Sequence, residues 1–378
     1  MAGGKGSRIR PLTLSRPKPI IPVANRPMIE YIVDKIKESG YDELVVTLGY
    51  LKSQIKALLE KDYPELNITY SVEEKPLGTA GGVKKAARYF DETFFVLSGD
   101  VLVDVDLNEI LAFHKKKGAL ATIVLKRVPN PRDFGIAVLD DDQQIIKFLE
   151  KPSPSEVFSK IANTGTYVLE PEIFNYTDGQ EEKIDFSKDI FPQLIDDEAG
   201  IYGFVSDGYW NDVGRPETYL KANYDVLNRN IGPEPPGKCL KEGVGRLGNM
   251  WVGEDVKIHE TARLVGPLVL GDGCVIESGS EVGKNTVLGD NVHLEKNSTI
   301  KGSVIFPGSK IGTSSYLKDC IVDSECQIER GSFIERGAIL GSSALLGPKS
   351  RVHYKRTISN NIIILPESNV DSNLFHPI

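Results

Sequence analysis

From residue 258 to residue 352 the chain places an aliphatic side chain at every sixth position, and this period excludes most folds. The series runs Ile258, Leu264, Leu270, Ile276, Val282, Leu288, Leu294 and Ile300. It slips by one, resumes at Ile305, Ile311 and Leu317, slips again, and continues through Val322, Ile328, Ile334, Leu340, Leu346 and Val352. An amphipathic helix needs apolar residues three and four apart, so a helix is excluded. Two residues before the aliphatic the side chain is usually small, as at Ala262, Cys274, Ser280, Ser298, Ser309, Ser332, Ala338 and Ala344. Glycine often follows it, as at Gly271, Gly283, Gly289, Gly312, Gly341 and Gly347. Six residues suit one short strand plus one corner, with the aliphatic and the small residue pointing inward and the glycine relaxing the corner. Three such edges close a triangular coil, and stacked coils share one narrow core.

This pattern resembles that of hexapeptide-repeat proteins, whose fold is a left-handed parallel β-helix. The handedness follows from the resemblance, because crossovers between parallel strands are normally right-handed. Cys274, Cys320 and Cys326 fall at the small inward position and read as buried packing residues. With Cys239 they form no CxxC pair, and the five histidines are too scattered for a zinc site, so free thiols are expected. Some hexapeptide enzymes use a histidine as the base of acyl transfer, but lone coil histidines such as His259, His293 and His353 are more often structural.

The first 230 residues follow a different rule. Glu43–Leu48 and residues 93–97 read as strands. Met28–Glu38 and Leu107–Lys117 carry apolar residues at helical spacing: Ile29, Ile32, Val33 and Ile36 in one, Leu107, Ile110, Leu111 and His114 in the other. Strands alternating with helices predict an α/β domain with a mostly parallel sheet, whose ligands bind beyond the strand C-termini. Residues 231–250, with Pro233, Pro235 and Pro236, read as a linker. The expected division is therefore 1–230 (α/β domain), 231–250 (linker), 251–365 (β-helix) and 366–378 (tail). A formal net charge of −8 disfavours a nucleic-acid partner, since a long polyanion is repelled without a local basic patch. No apolar run approaches the roughly 20 residues needed to span a bilayer, and no signal peptide is evident, so the expected location is cytoplasmic, away from membranes.

The chain opens Ala2-Gly3-Gly4-Lys5-Gly6-Ser7-Arg8-Ile9-Arg10-Pro11-Leu12-Thr13, followed by Arg16-Pro17-Lys18-Pro19. Closely spaced glycines let backbone N–H groups turn toward a polyphosphate, and Lys5, Arg8 and Arg10 add positive charge. The opening matches the signature GGxGxRLxPLT of the sugar-1-phosphate nucleotidyltransferases, with Ser7 where Thr is frequent and Ile9 where Leu is usual. Further runs resemble that family in order: Glu74-Lys75-Pro76-Leu77-Gly78-Thr79-Ala80-Gly81-Gly82, Leu97-Ser98-Gly99-Asp100, Phe134-Gly135, Glu150-Lys151-Pro152 and Trp210-Asn211-Asp212-Val213-Gly214-Arg215-Pro216. The resemblance extends to Pro216, and a hexapeptide tail is common in the same family.

The resemblance implies a Rossmann-like nucleotidyltransferase domain that joins a nucleoside triphosphate to a sugar 1-phosphate and releases pyrophosphate. It implies Mg²⁺ held by Asp100 and Asp212. Gly3, Gly4, Gly6, Ser7 and Arg8 would hold the triphosphate, with Glu74, Gly78 and Thr79 at the base. Lys18 would stabilise charge at the α-phosphate and touch the sugar phosphate. Gly135, Glu150, Lys151, Asn163 and Gly165 would line the sugar phosphate site. The run Glu74–Gly82 looks most like mannose-1-phosphate guanylyltransferases, with glucose-1-phosphate thymidylyl- or uridylyltransferases second. A non-catalytic nucleotide-sugar sensor and a bifunctional enzyme with an acetyltransferase β-helix are readings of other classes. Intact Arg8, Lys18, Asp100 and Asp212 argue against the sensor. A homo-oligomer through the β-helix is also expected. In this family a buried apolar strand precedes the glycine loop, whereas here Met1 stands directly before Ala2. The expectation is that the sheet lacks its first strand and that the natural chain starts about ten residues upstream.

Overall fold

Strand and helix signals alternate through the first half of the chain and repeat every six residues in the second. The computed structural model describes residues 1–4, 6–177, 179, 183–240 and 246–375. Lys5, one of the expected cations of the glycine loop, lies outside the described residues. The chain divides into two compact units: Met1–Lys5 with Met28–Asp212, and Gly6–Pro27 with Val213–Ile378.

In the first unit the helices are α1 (Met28–Glu38), α2 (Lys52–Asp62), α3 (Gly78–Lys85), α4 (Leu107–Lys117) and α5 (Phe191–Asp196). The apolar stripe of α1 buries Ile29, Ile32 and Val33, as its spacing requires. Helix α4 starts where Asp106 accepts hydrogen bonds from the amides of Asn108 and Glu109. It stops at Gly118, whose left-handed backbone (φ 57°) closes the last turn. Losing that N-cap carboxylate would cost about 1 kcal/mol.

The sheet is mixed, which corrects the mostly parallel sheet expected. Ala121–Arg127 is parallel to Ile201–Val205, and Glu43–Leu48 to Asn67–Val72. Ile161–Leu169, however, runs antiparallel to Ala121–Arg127, to Phe94–Val96 and, at Ala162, to Gly135–Leu139. Gly135–Leu139 and Ile145–Glu150 form a hairpin, closed where the Asp140 carboxylate accepts from the amides of Asp142 and Gln144. Strands joined so tightly can only be antiparallel. Between Glu43–Leu48 and Phe94–Val96 lies a cavity of about 740 Å³, lined by Ile32, Val33, Ile36, Val46, Phe94 and Leu111 among others. At one end it closes on the first residues. Ala2 N–H donates to the Thr47 carbonyl (2.9 Å), and Gly99 N–H donates to the Met1 carbonyl (2.8 Å).

The second unit contains the repeat. Among the described residues it forms sheets of eight, eight and seven strands, parallel except for Lys238–Leu240, which pairs antiparallel with Met250–Val252. Most coils advance by 18 residues, as in the bond from Asp272 to Asp290. The two slips in the sequence become shorter coils of 17, as in the bond from Cys320 to Ser303. The inward aliphatics Leu264, Leu270, Leu288, Ile305, Leu317 and Leu340 are fully buried in one continuous core. Each contributes roughly 1.5–3 kcal/mol. Small inward serines bond along the stack, for example Ser309 Oγ to the Asp323 carbonyl at 2.9 Å. The thiols of Cys274, Cys320 and Cys326 are buried, and burial pushes each up to about 12, so they are inert packing groups. Strand structure reaches into the residues read as linker, at Lys238–Leu240, and past residue 365 to Asn369–Val370, because both segments pair with coil strands. Among the described residues no helix is long and apolar enough to cross a membrane.

Candidate active site

Asp100 follows the strand Phe94–Val96, and the Ser98 hydroxyl donates to its Oδ1 at 2.9 Å. Asp212 ends the strand Trp210–Asp212, which pairs antiparallel with Val101–Val103 so that Asp212 stands opposite Val101. That register brings the two carboxylates expected to hold a metal to one end of a two-stranded ribbon. Trp210 ties the ribbon to its surroundings: its Nε1 donates to the Thr164 carbonyl at 3.1 Å, and its ring meets Phe134 edge-on at 4.8 Å. Among the described residues, no group of three or more His, Cys, Asp or Glu side chains gathers to hold a metal. A carboxylate pair still fits Mg²⁺, which keeps several waters and takes phosphate oxygens rather than occupying an all-protein cage.

Apart from Lys18, which belongs to the second unit, the residues expected at the sugar phosphate come together beside this ribbon. Gly135 stands opposite Glu150 across the hairpin. A Cβ at Gly135 would lie 2.8 Å from Glu150 Oε2 and 2.5 Å from the Phe148 ring, so only glycine lets that carboxylate lie across the strand. Lys151 Nζ lies 3.5 Å from Glu150 Oε1, and its amide donates to the Phe134 carbonyl. The buried Asn163 donates through Nδ2 to the Tyr167 hydroxyl (3.0 Å) and the Ser187 hydroxyl (3.2 Å). Its Oδ1 accepts from Gly165 N–H at 2.9 Å. Burial pushes the Tyr167 hydroxyl up to about 12, and the charges of Glu150 and Asp185 act in the same direction, so it remains a neutral phenol.

At the expected base loop, Gly78 has φ 80°, and a Cβ there would lie 2.3 Å from the Ile184 carbonyl oxygen. Ala80 and Gly81 donate their amides to that same carbonyl. Thr79 Oγ1 donates to Asp185 Oδ1 at 3.0 Å and accepts from Phe186 N–H at 3.0 Å. The N-terminal amides of α3 are thus taken up by the segment Ile184 to Phe186. Glu74 is exposed. Its neighbour Glu73 instead points inward: Oε2 accepts from Leu77 N–H at 3.1 Å, and Oε1 lies 3.5 Å from a Cβ built on Gly3. Gly4 is exposed, with nothing within 4 Å of such a Cβ.

In the second unit, Gly6, Ser7, Arg8 and Lys18 belong to one folded piece. Gly6 is left-handed (φ 59°), and a Cβ there would lie 2.8 Å from Thr13 Cγ2 and 3.1 Å from Lys18 Cβ. Thr13 Oγ1 donates to the Gly6 carbonyl at 2.9 Å. Ser7–Ile9 is a single 3₁₀ turn that buries Ile9 and leaves Ser7 and Arg8 exposed. Lys18 opens the turn Lys18–Ile20 and is only 4% exposed.

Sequence reasoning missed Glu73, Tyr167, Asp185 and Ser187. Asp185 and Ser187 act through contacts distant in sequence, Glu73 and Tyr167 through bonds to residues four away, and none stands in a run with a spacing of its own. Among the described residues, four histidines hydrogen-bond to neighbouring side chains. His114 is buried between Thr122 Oγ1 (2.8 Å) and Glu170 Oε1 (3.0 Å). His259 meets Thr261, His293 meets Glu277, and His353 meets Glu335.

Comparisons with known proteins identify the family. A family model described as "Nucleotidyl transferase" matches residues 1–229, and one described as "EIF2B subunit epsilon LbH domain" matches residues 247–371. A UTP–glucose-1-phosphate uridylyltransferase of Synechocystis sp. is 33% identical, with 76% of this chain and 81% of that protein aligned. Mannose-1-phosphate guanylyltransferase 1 of Arabidopsis thaliana is 36% identical, with 76% and 80% aligned. A crystal structure of a putative glucose-1-phosphate thymidylyltransferase from Bacillus anthracis matches with TM-score 0.55 and 25% identity, over 61% of this chain and 94% of that one.

Proposed function

The chain belongs to the nucleotidyl transferase family, as a sugar-1-phosphate nucleotidyltransferase with a hexapeptide-repeat left-handed β-helix, and we propose that it joins GTP to mannose 1-phosphate to give GDP-mannose and pyrophosphate. The observation that carries the catalytic reading is the strand register that sets Asp212 opposite Val101 and so beside Asp100.

In this reading a phosphate oxygen of the sugar 1-phosphate attacks the α-phosphorus in line, and pyrophosphate leaves. The attacking group is already an anion, so the protein's task is alignment and charge neutralisation. Glu150 and Asn163 take sugar hydroxyls across the space that Gly135 and Gly165 leave open, and Lys151 takes the sugar phosphate. Gly3, Gly4, Gly6 and Ser7 offer backbone to the triphosphate, which Arg8 also holds. Lys18 meets charge developing at the α-phosphate. Gly78 and Thr79 shape the base loop, with Glu74 or the inward Glu73 as base contact. Asp100 and Asp212 hold Mg²⁺, which when bound neutralises phosphate charge.

A cytoplasmic location and a homo-oligomer through the β-helix complete the proposal. The exposed Ile363 and Leu365 near the end of the repeat support such an association. The Synechocystis relative favours glucose 1-phosphate with UTP as the second reading. The deciding experiment sets four nucleoside triphosphates against several sugar 1-phosphates and reads pyrophosphate release. GTP with mannose 1-phosphate should give the highest kcat/KM. A higher value for UTP or dTTP with glucose 1-phosphate would replace the proposal with its alternative.

A further inference from the structure

The segment Gly6–Pro27 carries Arg8 and Lys18, yet its anchors are on the solenoid and on the helix that precedes it. Ala24 N–H donates to Asn223 Oδ1 (2.7 Å), Tyr219 OH to the Pro22 carbonyl (2.6 Å), and Asn25 Nδ2 to the Leu288 carbonyl (2.7 Å). One anchor stands next to the run that holds Lys18. Arg16 Nη2 donates to Asp323 Oδ1 at 2.7 Å and to Ser324 Oγ at 3.1 Å, and its guanidinium lies over the Phe306 ring at 4.7 Å. Asp323 is fully buried, and its Oδ2 has no hydrogen-bond partner among the described residues.

The sequence marks these positions. Along the sheet that contains Leu270, Leu288 and Leu340, the residue after the inward aliphatic is Gly271, Gly289 and Gly341. In the two intervening coils it is Phe306 and Asp323, the two residues that receive Arg16. Both coils follow a shortened step in the repeat. A glycine corner would serve the solenoid there. A buried carboxylate with one orphaned oxygen is a poor way to gain stability, because desolvation offsets much of the ion-pair attraction. Its placement is better explained by what Arg16 adjoins. Pro17 and Pro19 fix φ on either side of Lys18, so an anchored Arg16 leaves the intervening backbone little freedom.

We propose that Asp323 is a positioning residue for nucleotidyl transfer: through Arg16 it fixes the run Arg16-Pro17-Lys18-Pro19 and so sets the place of Lys18. The proposal rests on the role given to Lys18 above. The solenoid then serves the reaction by holding part of the phosphate-binding apparatus.

The test compares Arg16→Met/Asp323→Leu, Arg16→Lys and Lys18→Met in the full chain, reading kcat, both KM values and Tm. The apolar double variant removes the ion pair without stranding a charge, so it should fold with Tm near or above that of the unmodified protein. Its kcat should nevertheless fall about tenfold or more, with KM for the nucleotide little changed, because small misplacement of a catalytic group is costly. Arg16→Lys keeps the charge but loses the planar fork, and should show the same kcat loss at normal Tm; it serves alone if the double variant does not fold. Unchanged kcat in a folded variant, with Lys18→Met inactive, would overturn the positioning role and leave Lys18 in place. A fully active Lys18→Met would overturn the role of Lys18 and this inference with it.

Discussion

Asp100 and Asp212 lie far apart in sequence and reach one end of the same ribbon because the Trp210–Asp212 strand pairs with Val101–Val103. An amide at either position keeps size and shape but removes the charge that a cation needs. Asp100→Asn and Asp212→Asn should each lower Mg²⁺-dependent pyrophosphate release by roughly 100-fold or more while Tm holds. Normal turnover in either would refute the metal assignment. His114 illustrates a different residue-scale effect. Burial holds its imidazole below the ordinary 6.5, outweighing the opposing pull of Glu170. The neutral ring can accept from Thr122 through Nδ1 and donate to Glu170 through Nε2. A depressed value in the folded state means that the stability from this group is present above pH 6.5 and is lost as pH falls through the folded value. His114→Leu should cost about 1–3 kcal/mol at neutral pH and flatten the dependence of Tm on pH below that point. An unchanged acid limb would count against this account. Glu73 and Glu74 show where reading residues one by one stops. Both follow the strand Asn67–Val72, and only the closeness of Gly3 and Gly82 reveals which one turns inward.

Among the elements, those with a strong period were legible. Helices α1 and α4 and the strand Glu43–Leu48 have the bounds their apolar spacing predicts. Both slips of the repeat appear as coils of 17 residues, Val287 to Val304 and Val304 to Ile321, since every inward position is a separate sequence signal. Sheet direction was not legible, because a strand's alternation does not encode the polarity of its partner. The cavity beside Glu43–Leu48 carries a prediction at this scale. It is lined by apolar side chains such as Val33 and Phe94 and by polar ones such as Asn67 and Glu92, and it lies between two strands that Ala2 and Met1 bridge at one end. An extension of about five apolar, β-branched residues joined to Met1 should pair with both neighbours. Differential scanning calorimetry should then show a higher Tm. A polar Gly/Ser extension of equal length should not raise it, and equal effects of the two would refute strand pairing.

For the molecule as a whole, the repeat supplies the surface on which self-association is expected. Ile363 and Leu365 stand 67% and 70% exposed near its end, where no further coil covers them among the described residues. Ile363→Lys with Leu365→Lys should lower the mass seen by sedimentation at micromolar concentration, and unchanged mass would place the contact elsewhere. What the sequence hid at this scale is that Gly6–Pro27 groups with the repeat rather than with the residues on either side of it. Its glycines and prolines describe local turns, whereas its allegiance depends on Arg16, Tyr219 and Asn223, which have no period to betray them.

That grouping has a consequence for biosynthesis. Arg16 and Asp323 are separated by 307 residues, so the anchor cannot form until nearly the whole polypeptide has left the ribosome. At roughly 5–20 residues per second, the nascent glycine loop waits on the order of 15–60 s for its partner. Through most of its own translation the segment that carries Arg16 lacks this anchor, and a coil made late in synthesis supplies it.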